Sequence, residues 1–205
     1  MKKLAIATIV FSAFTASHAF AETMTDNSLS DYGYIRGALG GSQNGFSKSL
    51  DPSNPTSVKE TDHTAVNIST GYVHQLKDPR FAVGGEFAYN YFSNDKVNIG
   101  TNTWTIENSS LDFAGLGIWH MSEKFDAIGK AGLSYQVADA SSSLSGIGGI
   151  DGENTDWVPM LGTGIAYNFE ENWTADVTVT HYFGKNNINS TGKITSYMAG
   201  ISYKF

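Results

Sequence analysis

Six ionisable residues fall where a strand's alternation turns them to one side: Arg36, Glu86, Asp112, Lys130, Asp176 and Lys204. Their signs are mixed. In an enclosed space such charges neutralise and hydrogen-bond one another, whereas a lone charge there is costly. The spacing does not say which pairs with which. On an ordinary soluble sheet the same residues would simply face solvent. Two further constellations could do chemistry. Asp151-Gly152-Glu153-Asn154-Thr155-Asp156 clusters the oxygens that hard divalent cations favour, but it lacks the full twelve-residue calcium-loop pattern. A plain acidic loop is the competing reading. His181, in Thr180-His181-Tyr182-Phe183, could act as a base, which requires a nucleophile within hydrogen-bond reach. An interfacial histidine beside Tyr182 is the competing reading. These residues assign no catalytic, cofactor-binding or metal site.

The elements that carry the charges begin after residue 21. Lys2 and Lys3 precede an apolar run, Leu4 to Phe14, and an A-x-A pattern closes it at Ala19-Phe20-Ala21. This is the pattern of a cleaved secretory signal over residues 1–21, and the run is too short to cross a bilayer as a helix. Residues 22–30 read as a polar lead-in and 31–205 as one domain. Losing Lys2 and Lys3 makes the mature chain more acidic than the formal −7 of the whole sequence, which argues against nucleic acid as a partner. There is no cysteine, so an exported chain of this kind takes no stability from disulfides. No later apolar run reaches helix-spanning length.

Eight segments of alternating hydrophobicity follow, at about Tyr32–Ser42, Thr64–Leu76, Phe81–Ser93, Ser109–Met121, Phe125–Val137, Asp156–Phe169, Trp173–Phe183 and Lys193–Phe205. The third is the clearest: Phe81, Val83, Phe87, Tyr89 and Tyr91 oppose Ala82, Gly84, Glu86, Ala88 and Asn90. In the fifth, Asp126, Lys130, Ser134 and Gln136 share the polar side. The fourth is ambiguous, because Leu116 and Ile118 oppose Leu111, Phe113 and Trp119; a bulge would reconcile them. Connections alternate long and short. Asn94–Asn108 and Ala138–Thr155 read as long loops, as does Gln43–His63 with its Asp51-Pro52-Ser53-Asn54-Pro55 turn chemistry; Gly184–Gly192 is the last. Lys77–Arg80, Ser122–Lys124 and Glu170–Asn172 read as tight turns. Each segment has about the 9–11 residues that a tilted strand needs to cross a bilayer. Aromatics gather toward both ends of the segments, as two interfacial girdles would.

In the last segment Tyr197, Ala199, Ile201, Tyr203 and Phe205 share one face and the chain stops on the aromatic. This pattern resembles the assembly signal of Gram-negative outer-membrane β-barrels. With Gly84-Gly85-Glu86-Phe87-Ala88-Tyr89 and Lys130-Ala131-Gly132-Leu133-Ser134-Tyr135, the chain from Tyr32 to Phe205 is similar to small eight-stranded barrels. These include the transmembrane domain of outer-membrane protein A, outer-membrane protein X and the opacity-like surface proteins. The resemblance implies an all-β fold, an eight-stranded antiparallel up-and-down transmembrane β-barrel in the cell outer membrane. Lipid and lipopolysaccharide would surround it, and the barrel-assembly machinery would recognise its last strand. The chain would be a monomer with no cofactor. Unlike full-length outer-membrane protein A, no peptidoglycan-binding domain is expected after the barrel, so no cell-wall tether is expected either.

The functional expectation is a non-enzymatic surface protein with a filled polar lumen. It would act in envelope structure or in adhesion, contacting host or environmental ligands through four loops, since loops on a rigid scaffold commonly carry binding. Three alternatives stand beside it. Some eight-stranded barrels are lipid A deacylases using His, Ser and an acid, but that family's serine, two residues after the histidine, is replaced here by Phe183. A diffusion pore is disfavoured because eight strands leave a lumen only wide enough for side chains. A soluble sandwich or lipocalin-like carrier would turn the apolar residues inward.

Overall fold

The computed structural model describes residues 30–44, 64–99, 102–142, 152–184 and 193–205. The signal segment 1–21, most of the 22–30 lead-in, the Asp51–Pro55 turn and most of the Gly184–Gly192 loop lie outside the described residues. Eight strands close into one antiparallel barrel in sequence order. They are β1 (Tyr32–Asn44), β2 (Thr64–Gln75), β3 (Phe81–Ile99), β4 (Asn102–His120), β5 (Phe125–Ser142), β6 (Gly152–Asn168), β7 (Trp173–Tyr182) and β8 (Ile194–Lys204). β1 pairs with β2 on one side and β8 on the other. Gly33 and Phe205 complete the closure by exchanging backbone hydrogen bonds of 3.0 and 2.9 Å. A closed sheet leaves no open edge and satisfies each strand's backbone groups internally, as hydrocarbon demands.

The side chains are sorted by period two, with the apolar set outside. Leu133, Ile165 and Val177 are 51%, 57% and 62% exposed, whereas Arg36, Asp112 and Asp176 are buried. A soluble sandwich would have the opposite sorting. Paired rings line the outside at the end that carries the tight turns: Phe125 with Tyr167 at 5.1 Å and Trp173 with Tyr203 at 5.0 Å. Tilted and edge-on pairs of this kind add stabilisation beyond area burial.

Three expectations are corrected. β4 needs no bulge: burial alternates without a break from Asn108 to Trp119, and Leu116 and Ile118 point inward, 8% and 7% exposed. The irregularity lies instead in β3, between Phe92 and Asn94. Asn94–Asn108 is not a loop, because β3 and β4 continue as a hairpin to the pairing of Ile99 with Asn102. β5 and β6 likewise extend to pair Ala140 with Gly152. Finally, the lumen is filled in layers rather than by polar groups alone. One apolar cluster, with Phe92, Met160, Tyr182, Ile194 and Met198, lies toward the loop end. A second, with Tyr34, Val73, Ala82, Leu116 and Ile118, lies toward the turn end.

Candidate functional site

The inward charges meet between and beside these apolar layers. Arg36 of β1 grips Asp176 of β7 with two hydrogen bonds, Nε to Oδ2 at 2.8 Å and Nη2 to Oδ1 at 2.5 Å. To do so its side chain must cross β8, which lies between them. Gly200 lets it pass: a Cβ there would stand 2.8 Å from Arg36 Nε and 2.9 Å from Cζ. The planar guanidinium fits a carboxylate in this two-point fashion, which fixes geometry as well as charge. Arg36 also donates from Nη2 to Thr178 Oγ1 at 3.2 Å and from Nη1 to Asn67 Oδ1 at 2.7 Å.

Glu86 of β3 is held from two sides. Tyr34 donates its hydroxyl to Oε2 at 2.8 Å, and Lys130 Nζ lies 3.3 Å from Oε1. Tyr34 reaches β3 by lying over Gly71 of β2, where a Cβ would come within 2.5 Å of the ring. A cavity of about 70 Å³ opens among Arg36, Glu86, Lys130, Asp176 and Lys204, room for about two waters.

Among the described residues, Asp112 of β4 is held by neutral hydrogen-bond donors. Its Oδ1 accepts from Ser110 Oγ at 2.8 Å and Ser134 Oγ at 2.6 Å; its Oδ2 accepts from Asn90 Nδ2 and the Tyr182 hydroxyl, both at 2.8 Å. Four donors fill the four acceptor positions of an ionised carboxylate.

Lys204 joins a separate network at the turn end. Its Nζ donates to Asn168 Oδ1 at 2.7 Å and lies 5.1 Å above the Tyr32 ring. Asn168 passes the contact on by donating to Asp126 Oδ2 at 2.8 Å, and His120 Nδ1 meets Asp126 Oδ1 at 2.6 Å. The network reaches the rim through His120 Nε2 and Gln75 Oε1, 3.2 Å apart, and the Gln75 main-chain N–H, which donates to Asp31 Oδ1 at 2.9 Å. Asp31 also accepts from Tyr72 at 2.9 Å and lies 2.8 Å from His74. Hydrogen bonding to His74, with the Gln75 amide and Tyr72, holds the Asp31 carboxyl below its ordinary range.

The six sequence-selected charges therefore divide into the pair Arg36–Asp176, the pair Glu86–Lys130, Asp112 among neutral donors, and Lys204 at the turn end. Tyr34, Asn67, Asn90, His120, Asp126, Asn168 and Tyr182 complete these networks; the sequence reading sets Asn90 and Asp126 on the polar side but counts none of the seven among the interacting charges. Their signal was available in the alternation, since each occupies an inward position; formal charge alone was too narrow a filter.

The remaining candidates fare differently. Residues 152–156 lie in β6 rather than in a loop, and Asp151 lies outside the described residues. Among the described residues no group of three or more His, Cys, Asp or Glu could hold a metal. His181 faces outward, its Nδ1 2.8 Å from Thr195 Oγ1 and its ring edge-on to Phe183 at 4.7 Å. Among the described residues the ring's polar partner is this threonine hydroxyl. The terminal residues Tyr197, Ile201 and Tyr203 face outward, with Ala199 in the same register, and the Phe205 ring lies over Gly33.

No curated protein sequence matches the chain. Solved structures do. Ail, the attachment invasion locus protein of Yersinia pestis, superposes with a TM-score of 0.56 at 14% identity, over 85% of this chain and 97% of that one. Ail in complex with the heparin analogue sucrose octasulfate matches at 0.55 and 14% identity, with the same coverage. Neisserial surface protein A matches at 0.54 and 16% identity, over 85% and 97% of the two chains. The N-terminal β-barrel domain of Pseudomonas aeruginosa OprF matches at 0.53 and 14%, over 84% and 97%. At such identities the likeness speaks to the fold alone. Residues 6–205 match the outer membrane protein beta-barrel domain, so the chain belongs to that family and is a β-barrel protein of the outer membrane.

Proposed function

We propose that this protein is a non-enzymatic surface barrel that contacts ligands outside the cell through its loop end. The observation that carries this reading is the inequality of the strands. β3 to β6 have 19, 19, 18 and 17 residues, whereas β1, β2, β7 and β8 have 13, 12, 10 and 11. About 9–11 residues suffice to cross the membrane. The surplus of four neighbouring strands continues as paired sheet beyond the lipid, on the side opposite the tight turns, and tight turns face the periplasm in bacterial barrels. Paired strands hold their shape better than open loops, and such a platform suits recognition. Ail, a protein of the same fold, has been seen with a heparin analogue, an instance of a small barrel engaging a ligand.

The bilayer and lipopolysaccharide are the partners of the lipid-facing belt, and the barrel-assembly machinery is the partner of β8. A structural role in the envelope is the second reading, favoured by the layered filling of the lumen. The same filling opposes a diffusion pore: the apolar cluster around Phe92, Met160 and Tyr182 stands across the path above the charges. Phe183, two residues after His181 where the deacylases place serine, opposes an acyl-transfer enzyme.

The test trims the platform by joining β3 to β4 near Phe92–Asn108 and β5 to β6 near Ala138–Asn154 with short turns. Cells carrying trimmed barrels that keep heat-modifiable mobility should lose adherence to host-cell monolayers and extracellular matrix. Undiminished adherence by the trimmed barrel removes the contact reading. Steady porin-sized conductance in planar bilayers would favour the pore, and a change in lipid A acylation on His181→Ala would favour the enzyme.

A further inference from the structure

β7 and β8 have 10 and 11 residues, about the 9–11 that a tilted strand needs to cross a bilayer. The two ends of this strand pair therefore mark the two boundaries of the membrane. Trp173 pairs with Tyr203 at the turn end, and His181 pairs with Thr195 at the loop end. Tight turns face the periplasm, so His181 and Thr195 stand at the outer boundary. Both face outward and meet lipid at the height of its headgroups. The imidazole is fixed there from two sides. Its Nδ1 lies 2.8 Å from Thr195 Oγ1, and its ring stands edge-on to Phe183 at 4.7 Å. Exposed Lys193 lies two residues before Thr195 on the same face, and exposed Gln43 of β1 lies opposite Thr195. Lys193 is thus a diagonal neighbour of His181, about 7–8 Å away along the backbone and within reach of a long side chain. Beside and below this group the outward face turns apolar. Leu161 lies opposite His181, Tyr197 follows Thr195, and both are exposed, as is Leu39.

We propose that His181, Thr195 and Lys193 hold the phosphate headgroup of a glycolipid in the outer leaflet. The proposal rests on the reading of the lipid-facing belt as a partner of lipopolysaccharide, and it gives that contact a place. Thr195 donates its hydroxyl to Nδ1, which puts the ring's proton on Nε2, on the other side of the ring. Nε2 then donates to one phosphate oxygen and the Lys193 ammonium to another. Hydrogen bonds to an ionised group of this kind are short and strong. The Gln43 amide, in the same row as Thr195 and His181, is placed for a sugar hydroxyl. Leu161, Tyr197 and Leu39 lie where acyl chains descend from the headgroup. Free phosphate would gain nothing from these apolar side chains, so the ligand that uses the whole surface has a phosphorylated head and hydrocarbon beneath it. Lipid A has that chemistry.

The test titrates the folded protein in detergent with lipid A and counts bound lipids by native mass spectrometry. Lipid A with its phosphates is compared with the dephosphorylated lipid of the same acyl chains. The phosphorylated form should bind about tenfold more tightly. His181→Leu with Lys193→Gln should remove the preference. Lys77→Gln with Lys124→Gln, which deletes two exposed charges at the turn end, should keep it. The barrel trimmed in β3 to β6 retains all three residues, so it should keep the preference even where it loses adherence. Equal affinity of the wild type for both lipids overturns the site, as does a preference undiminished in the His181 and Lys193 variant. A preference lost equally in the turn-end variant overturns it too, by showing an effect of net charge. Failure of both lipids to bind overturns the site and removes the belt reading with it. Should the double variant not fold, solid-state NMR of histidine-labelled wild type in lipid A decides: dephasing of the His181 Nε2 signal by lipid phosphorus supports the site, and its absence overturns it.

Discussion

Arg36 is joined to Asp112 by two asparagine amides laid head to tail. Arg36 Nη1 donates to Asn67 Oδ1 at 2.7 Å, Asn67 Nδ2 to Asn90 Oδ1 at 2.7 Å, and Asn90 Nδ2 to Asp112 Oδ2 at 2.8 Å. A guanidinium only donates and an ionised carboxylate only accepts, so both amides have a single workable orientation. Their dipoles align between the cation and the anion, and low surrounding polarity strengthens such a chain. Asn90→Leu leaves the Asn67 amide without an acceptor and takes one of four donors from Asp112. A loss of about 1–3 kcal/mol is expected. In urea unfolding from lipid vesicles, Asn67→Leu and Asn90→Leu together should cost less than the sum of the single changes. Simple additivity would mean that the amides act separately.

Among the described residues, Asp176 and Arg36 form the most tightly enclosed ion pair, with side chains 4% and 6% exposed. Removing one partner strands the other charge. Arg36→Leu or Asp176→Leu should each cost about 3–5 kcal/mol, and the double change should restore much of it. A double variant as unstable as the sum would show that the charges are satisfied independently of each other.

Gly200 is required because of Arg36 rather than because of its own backbone. Gly200→Ala puts a methyl group where the guanidinium crosses β8, and overpacking of this kind costs about 1–3 kcal/mol. In an Arg36→Leu background the crowding group is gone, so the added methyl should be nearly neutral. The comparison needs only the four proteins of one thermodynamic cycle, and an equal cost in both backgrounds would reject the steric account.

Strand number, strand order and the wetting of each face were legible in the sequence because each follows from local alternation and turn chemistry. Val177 beside Asp176 already states which way each points. The partners were not legible, because shear carries an inward side chain past its neighbouring strand: Arg36 faces Ser202 in register yet bonds to Asp176. Nor were the hairpin extensions from Asn94 to Asn108, whose polar run of Asn, Asp, Lys, Thr and Glu carries no clear alternation. Leu116 and Ile118 misled for the opposite reason. An eight-stranded lumen also admits apolar side chains, so an inward leucine is no sign of a bulge.

At the turn end, two carboxylates make stability depend on acid. Asp78 accepts side-chain hydrogen bonds from Arg80 at 2.8 and 3.1 Å and a backbone bond at 3.0 Å. The Arg80 side chain, then its amide, lowers the carboxyl to about 2. Asp31 ties the start of β1 to the end of β2, and its carboxyl is lowered too. A depressed carboxylate contributes stability above its unfolded value, and the contribution is lost as pH falls through the folded one. The β2–β3 turn and the β1 start should therefore gain amide exchange as pH drops from about 4 toward 2, once exchange rates are corrected for pH. Asp31→Asn should flatten the change at the amides of β2 near Gln75, and Asp78→Asn the change at Arg80. Profiles unaltered by either substitution would place the acid sensitivity elsewhere.

Phe205 does two things at once. Its backbone closes the barrel against Gly33, and its ring covers Gly33 so closely that a Cβ there would lie 2.5 Å from it. Phe205→Ala keeps the backbone pair and removes the ring. Gly33→Ala keeps the terminal aromatic and displaces its ring. Both should weaken the purified barrel by a similar, modest amount, about 1 kcal/mol for a partly buried ring. They part company in cells if the assembly machinery reads the terminal aromatic before the barrel has closed. Phe205→Ala should then sharply reduce the amount of folded protein in the outer membrane, with Gly33→Ala near wild type. Equal losses in cells would assign the ring to closure alone.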